Sequence, residues 1–212
     1  MNRPGILLLA VAAAVLLAGC GSNKAKAPSA SPTTTAASAT ESTAATTTAA
    51  GASALQAEAN AAATGDIPDN QIFLRFQGVG FSLKYPEGWA QSGSASKPIF
   101  RDKNNIIRVV IVHGQLPSAA DVSRQVAALH GARITAPPKT VTINGAPAIH
   151  VVYETKSAPN SVTGKTVTLG VDRYYLAKND KVAIVDLGSP VAPVKVDNVD
   201  AYRLIIHSFR WK

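Results

Sequence analysis

The chain has 212 residues, 46% of them hydrophobic, and a formal net charge of +8. Its single cysteine, Cys20, excludes an intramolecular disulfide and a zinc site built on cysteines, so the folded part must rely on its own apolar core. The excess positive charge lies from residue 67 onward as diffuse charge without a continuous basic block. Such charge would suggest a nucleic-acid partner in a cytosolic protein, and the export signal in residues 1–19 argues against that partner.

Residues 1–19 have the three parts of a secretory signal. Arg3 supplies positive charge, residues 5–17 form an apolar stretch, and Ala18 and Gly19 are the small residues before a cleavage point. The apolar stretch has about a dozen residues, too few to span roughly 30 Å of hydrocarbon as a helix. Its length therefore argues against an uncleaved membrane anchor.

The sequence Leu17-Ala18-Gly19-Cys20 resembles the lipobox of bacterial lipoproteins. The resemblance implies a diacylglyceride on the Cys20 sulfur and cleavage between Gly19 and Cys20. The alternative, ordinary cleavage that leaves a free thiol, must explain why the only cysteine falls at this position. Each buried acyl methylene contributes about 0.8 kcal/mol, so two or three chains anchor a protein stably. We therefore expect a lipid-anchored protein on the extracytoplasmic face of a cell membrane.

Residues 20–66 follow as the lipidated N-terminus and a linker rich in alanine, threonine and serine. Apart from Leu55, large apolar side chains are nearly absent, and such a segment cannot bury enough surface to offset its chain entropy. The composition predicts a disordered tether. It fits O-glycosylation and an unmodified spacer equally well.

Residues 67–212 are long enough for one domain, and most of their patterns indicate strands. The strand patterns cover residues 72–76, 81–85, 99–100, 106–112, 140–143, 148–155, 165–177 and 182–187. The apolar run 106–112 predicts a central strand covered on both faces. Asn144-Gly145 is the strongest hairpin signal. Pro137-Pro138 is expected to break the chain, and Ser189 is expected in a turn.

Two helices are predicted among these strands. The first begins after the N-cap Ser118, with Asp121 three residues on, and ends at Gly131. The second covers about residues 196–209. The order of elements predicts an α+β domain in which an antiparallel sheet of about six to eight strands packs against helices.

Three segments carry a resemblance to PsbP/Mog1-like domains: residues 80–89, 143–148 and 207–210. The set also resembles the LpqN-type lipoproteins of actinobacteria. The resemblance implies an αβα sandwich, a fold that serves unrelated functions, so it implies no shared chemistry. Four residues are expected to act as structural anchors; they are Pro86, Trp89, Gly145 and Phe209.

No catalytic motif is present. Gly78-Val79-Gly80 is half of a dinucleotide-binding signature and leads into a strand. The four histidines (His113, His130, His150 and His207) fall on separate elements, and His150 and Glu154 are about 13 Å apart along one strand. We expect no catalytic residue, no cofactor and no metal.

Two carboxylates and a pair of tyrosines stand out within the predicted strands. Asp172 and Asp186 are candidate buried carboxylates, although an edge or solvent-facing position is favoured for both. Tyr174 and Tyr175 are expected on opposite faces, one in the core and one at the surface.

Three functions remain open for a monomeric envelope protein of this kind. The first is a non-enzymatic binding module that docks on an envelope protein or carries an apolar ligand such as a lipid. The second is a wall- or lipid-modifying hydrolase whose residues converge only in three dimensions, and the third is a structural or assembly factor. The diffuse positive charge fits solubility alone, or attraction to anionic head groups or wall polymers.

Overall fold

The structure, a computed structural model, describes residues 64–160 and 162–212 and the positions 54, 56, 57 and 60. The predicted signal peptide, Cys20 and most of the predicted linker lie outside the described residues. The strands are β1 (Phe73–Gln77), β2 (Phe81–Pro86), β3 (Ala90–Ser94), β4 (Lys97–Asp102), β5 (Asn105–His113), β6 (Arg133–Ile143), β7 (Ala146–Lys156), β8 (Thr168–Lys178), β9 (Lys181–Ala192) and β10 (Arg210–Trp211). The helices are α1 (Ala119–Ala127) and α2 (Val199–Ser208).

Seven strands form one antiparallel sheet in the order β3-β4-β5-β9-β8-β7-β6. This confirms the α+β class and the predicted sheet of six to eight strands. The hairpin between β6 and β7 turns at Asn144 and Gly145, where φ is 53° and 81°. Positive φ at both central residues matches the twist of the flanking strands, and asparagine and glycine reach it at least cost.

The two faces of the sheet carry different layers. One face packs Ile149, Val151 and Val171 against Val122 and Val126 of α1. The other face packs the alternate residues of the same strands against α2, whose Ile205 and Ile206 are buried. Because successive side chains of a strand point to opposite faces, each long strand contributes to both apolar layers.

Helix α1 begins as the sequence predicts. The Ser118 hydroxyl accepts a hydrogen bond from the Asp121 backbone N–H, and the Asp121 carboxylate accepts one from the Ser118 N–H, which completes a capping box. The helix ends at Ala127 and continues as turns to Gly131, so it is shorter than predicted.

A second sheet, in the order β1-β2-β10, was not predicted. The chain turns between β1 and β2 at Gly78, where a Cβ would lie 2.5 Å from the Phe81 ring. Phe81 in turn stacks on Phe209, with ring centroids 5.6 Å apart. This small sheet therefore packs beside α2 and completes the second apolar layer.

The residues proposed as anchors occupy the following places. Pro86 ends β2, and Trp89 is 9% exposed in the core shared with Phe209. Gly145 completes the β6–β7 turn. The Phe209 carbonyl accepts a hydrogen bond of 2.9 Å from the Asn144 side chain, which ties this turn to the end of α2.

Two predicted interruptions of strands were wrong. Pro137-Pro138 does not break the chain, because both lie in the edge strand β6, where the pairing with β7 shifts between Ala136 and Lys139. An edge strand with a bulge tolerates the missing N–H groups. Ser189 is not in a turn either: β9 continues through Ser189 and Pro190, beyond the point where β5 stops pairing with it.

The apolar run in β5 is covered on one face only. Ile107 and Val109 are fully buried, whereas their neighbours Ile106 and Val110 are half-buried and Val112 is 39% exposed. The prediction of a strand covered on both faces was therefore wrong. Helix α1 lies over β6 and β7 and leaves this part of the sheet open.

A buried amide links the start of the described domain to the second layer. Asn198 accepts a 2.7 Å hydrogen bond from the Ile67 N–H and donates to Ser189 at 2.9 Å and to Asn105 at 3.3 Å. Asn105 donates to the carbonyl of Gly65. These bonds hold residues 65–67 against the sheet although more than 130 residues separate Ile67 from Asn198 in the chain.

Replacing Asn198 with alanine is expected to lower the free energy of unfolding by about 2 kcal/mol, because buried partners lose their hydrogen bonds. The Ile67 amide is also expected to lose its protection against hydrogen exchange. Urea unfolding and exchange measured by NMR test this, with the exposed Asn70→Ala as a control. An Ile67 amide that exchanges as slowly as in the original chain would contradict the prediction.

Candidate functional site

A pocket of about 460 Å³ lies between the large sheet and α2. Strands β6 to β9 form its floor, and α2 with the preceding residues 195–198 forms one wall. This volume falls within the range of about 300–1,000 Å³ that is typical of small-molecule sites. We name it the α2 pocket.

The floor and walls of the α2 pocket are mostly apolar. They include Val141, Val152, Val191, Val196 and Ile206. Val141, Val152 and Val191 are only half-buried, because α2 covers the neighbouring part of the sheet and leaves them facing the pocket. Apolar surface of this kind favours a ligand with an apolar body.

A histidine–carboxylate pair lies in the α2 pocket. His150 Nε2 is 2.7 Å from Asp172 Oδ1, and the imidazole stacks on Tyr174 with ring centroids 4.4 Å apart. The His150 side chain is 13% exposed. Nδ1 of His150 has no hydrogen-bond partner among the described residues, so it is a polar atom open to a ligand.

The three side chains meet because of the strand register. His150 pairs with Tyr174 across β7 and β8, and Asp172 is the next residue of β8 on the same face. Burial raises the pKa of Tyr174 to about 12, and the negative charge of Asp172 adds to this effect. Tyr174 therefore stays neutral at physiological pH and can donate a hydrogen bond. Tyr174 is half-buried and Tyr175 is buried on the opposite face, as predicted.

The register also excludes Ser189 as a nucleophile served by His150. Tyr174 pairs with Val185, which lies four residues before Ser189. Two strand spacings and four residues along a strand separate the backbones of His150 and Ser189 by roughly 16 Å. A nucleophile and its base must approach to about 3 Å. The Ser189 hydroxyl instead donates to Tyr202 at 2.7 Å.

Cations surround the mouth of the α2 pocket. Lys139 and Lys195 are exposed and have no hydrogen-bond partner among the described residues, whereas the exposed Arg203 pairs with Asp200. Asp172 and Asp197 also line the pocket. The rim is therefore close to neutral overall, with Lys139 and Lys195 as its unpaired cations among the described residues, beside apolar walls.

The other three histidines lie in separate places. His207 also lines the α2 pocket, His113 lies 3.2 Å from the exposed Asp180, and His130 is exposed. Within residues 64–160 and 162–212, no three His, Cys, Asp or Glu side chains are placed to hold one metal ion.

The position predicted for Asp186 was wrong. Its side chain is 4% exposed, and it accepts hydrogen bonds from Arg173 at 2.6 and 2.9 Å and from Arg108 Nε at 2.9 Å. The three residues are direct neighbours across β5, β9 and β8. Asp186 thus lies on the sheet face opposite the α2 pocket. Asp172 is partly exposed, at 39%.

No family model matches the sequence, and no curated protein does. Solved structures do. Cyanobacterial PsbP from Synechocystis is 16% identical with a TM-score of 0.50, over 70% of this chain and 98% of that one. The yeast Ran-binding protein Mog1p is 12% identical with a TM-score of 0.42, over 67% and 95%. LpqN of Mycobacterium tuberculosis, involved in cell envelope biogenesis, is 15% identical with a TM-score of 0.37, over 66% and 84%.

The likeness to PsbP shows that the chain has the PsbP/Mog1-like fold, as the sequence resemblance implied. At these identities the fold alone is shown, because one fold serves many functions. In the part of the chain that the structure describes, no helix combines the length and apolarity needed to cross a membrane.

Proposed function

We propose that the protein is a lipid-anchored binding module of the cell envelope that carries an amphiphilic ligand in the α2 pocket. The anchor is the acylated Cys20, and the residues between it and Gly65, whose carbonyl accepts a hydrogen bond from Asn105 of the domain, are the tether. The observation that carries the binding role is the α2 pocket itself, with its open valine floor and, at its rim, Lys139 and Lys195, which are unpaired within the described residues. An apolar chain fits the floor, and an anionic or polar head fits the rim.

The polar groups inside the α2 pocket can orient a bound ligand. His150 is fixed by Asp172 on one side and by the Tyr174 ring on its flat face. A fixed imidazole loses little entropy when it binds, so its free Nδ1 can select a ligand polar group at a defined depth. This is the chemistry of a carrier site, with few polar atoms on an apolar surface.

Native mass spectrometry of the full chain, purified in neutral detergent from the membranes of its own host, tests the proposal. We expect an added mass from a bound lipid or other amphiphile. Val152→Trp fills the floor with an indole ring and is expected to lower the bound fraction about tenfold or more. The same substitution at the exposed Val79 is the matched control and should leave binding unchanged.

Two results would contradict carriage. One is an unliganded mass for the original chain. The other is an equal loss of ligand in Val152→Trp and Val79→Trp. Thermal unfolding of both variants separates a filled pocket from a misfolded domain, because a filled pocket leaves a cooperative transition in place.

The His150–Asp172 pair favours a second candidate, a hydrolase in which His150 activates a water molecule. Under that function the original chain would carry a cleaved product, and His150→Gln would carry a heavier, uncleaved precursor. Under carriage both chains would carry the same mass. The mass of the bound ligand in the two chains therefore distinguishes the two functions.

A further inference from the structure

A second concave site lies on the opposite face of the large sheet, in the region that α1 leaves open. It has a volume of about 170 Å³. Arg101 of β4, Arg108 of β5 and Lys156 of β7 line it, with Ile106 and Val171 on the floor. We name it the basic hollow. It shares no lining residue with the α2 pocket.

The register brings the cations together. Arg101 pairs with Ile106 across β4 and β5, and Arg108 is the next residue of β5 on the same face. Thr155 and the adjoining Lys156 lie at the other end of the hollow, where Lys156 Nζ donates to Thr168 at 2.8 Å. The Arg101 side chain is exposed and has no hydrogen-bond partner among the described residues.

Arg108 differs from an ordinary surface arginine because its position is fixed. Its Nε and Nη2 both donate to Asp186, and Asp186 is held in turn by the buried Arg173. The Arg108 side chain remains 40% exposed. Its Nη1 has no hydrogen-bond partner among the described residues, so this N–H group remains available beside the hollow as a donor in a fixed position. A guanidinium held in this way loses little freedom when it binds an oxyanion.

The charge balance favours an anion with more than one negative charge. Among the described residues, Asp186 is the only carboxylate that lines the hollow, and its oxygens already accept hydrogen bonds from two guanidinium groups. Arg173 and Asp186 neutralise each other, which leaves the charges of Arg101, Arg108 and Lys156 uncompensated. A phosphate group carries a charge near −1.5 to −2 and three acceptor oxygens, which suits such a site.

We propose that the basic hollow binds a phosphate group. A phosphomonoester can arrive on a small soluble molecule or as the head group of a lipid such as phosphatidic acid, and both present the same three oxygens to the arginines. The site is independent of the α2 pocket and of its ligand.

Isothermal titration of the full chain in neutral detergent with pyrophosphate tests the proposal. We expect saturable binding at one site. Arg101→Gln should weaken it about tenfold, because the variant removes one charge-assisted contact. Arg108→Gln should weaken it further while the Arg173–Asp186 pair persists. Lys178→Gln removes the same charge from an exposed position outside the hollow and should change the affinity less than about twofold.

A competition experiment with lipid micelles distinguishes a lipid source of the phosphate group from a soluble one. If the head group of a lipid is the ligand, micelles doped with phosphatidic acid will weaken pyrophosphate binding and micelles doped with phosphatidylcholine will not. If the ligand is soluble, neither lipid will compete. Absence of saturable binding, or an equal loss in Lys178→Gln and Arg101→Gln, would overturn the proposal, since the interaction would then be diffuse attraction.

Discussion

Replacing Cys20 with serine is expected to abolish the incorporation of radiolabelled palmitate into the protein. Serine has no thiol, so the thioether to the diacylglyceride cannot form, and the later acylation of the new N-terminus cannot follow. Two or three acyl chains bury several tens of methylenes at about 0.8 kcal/mol each, so their loss removes the whole proposed anchor. The effect is all or none, which makes it the largest that we expect.

The measurement compares palmitate label and cleavage in cells that express the original chain, Cys20→Ser and Ser22→Ala. Ser22→Ala lies two residues away and preserves the cysteine, so it should be labelled and processed normally. Cys20→Ser should also retain residues 1–19, because the cleavage proposed here follows acylation. Undiminished label in Cys20→Ser would contradict the lipid anchor and, with it, the proposed location.

Local patterns predicted the parts of the fold that depend on neighbours in the chain. Ser118 and Asp121 are three residues apart, and their capping box follows from that spacing alone. Asn144 and Gly145 reach positive φ more easily than other residues, so their turn could be predicted without its partners. Such signals are contained within four or five residues.

The third strand of the small sheet could not be predicted because its pairing is remote, whereas β1 and β2 pair locally. Strand β10 joins Arg210 to Ser82 and Trp211 to Phe81, across about 130 residues of chain. Lys84 also donates to the Ser208 hydroxyl at 2.7 Å. Nothing in two residues at the C-terminal end indicates a strand, since the partner supplies the reason for one.

The candidate site was visible only as separate residues. The sequence offers His150 and Asp172 as separate candidates, but the register that places them 2.7 Å apart depends on the length of the loop between β7 and β8. Asp186 was misjudged for a related reason. A carboxylate inside an apolar run indicates an exposed position unless cations lie on the neighbouring strands. Arg108 and Arg173 do so here.

Replacing Asp186 with alanine is expected to lower the free energy of unfolding by about 3–5 kcal/mol, because it leaves the charge of Arg173 buried and unpaired. The Arg173 side chain is 7% exposed. Burial alone would lower its pKa, but the hydrogen bonds and charge of Asp186 outweigh burial and raise it above the ordinary value. Without Asp186 the guanidinium still cannot lose its proton near neutral pH, so the domain bears the full cost of burying it.

Urea unfolding followed by the fluorescence of Trp89 and Trp211, both packed in the same apolar cluster, measures this loss. Asp180→Ala is the control: it breaks an ion pair with His113 whose side chains are both exposed, so it should cost less than about 1 kcal/mol. Asp186→Leu combined with Arg173→Met should recover most of the stability, since an apolar pair of similar volume replaces a buried ion pair with little loss. A double variant no more stable than Asp186→Ala would show that packing around Asp186, rather than an unpaired charge, causes the loss.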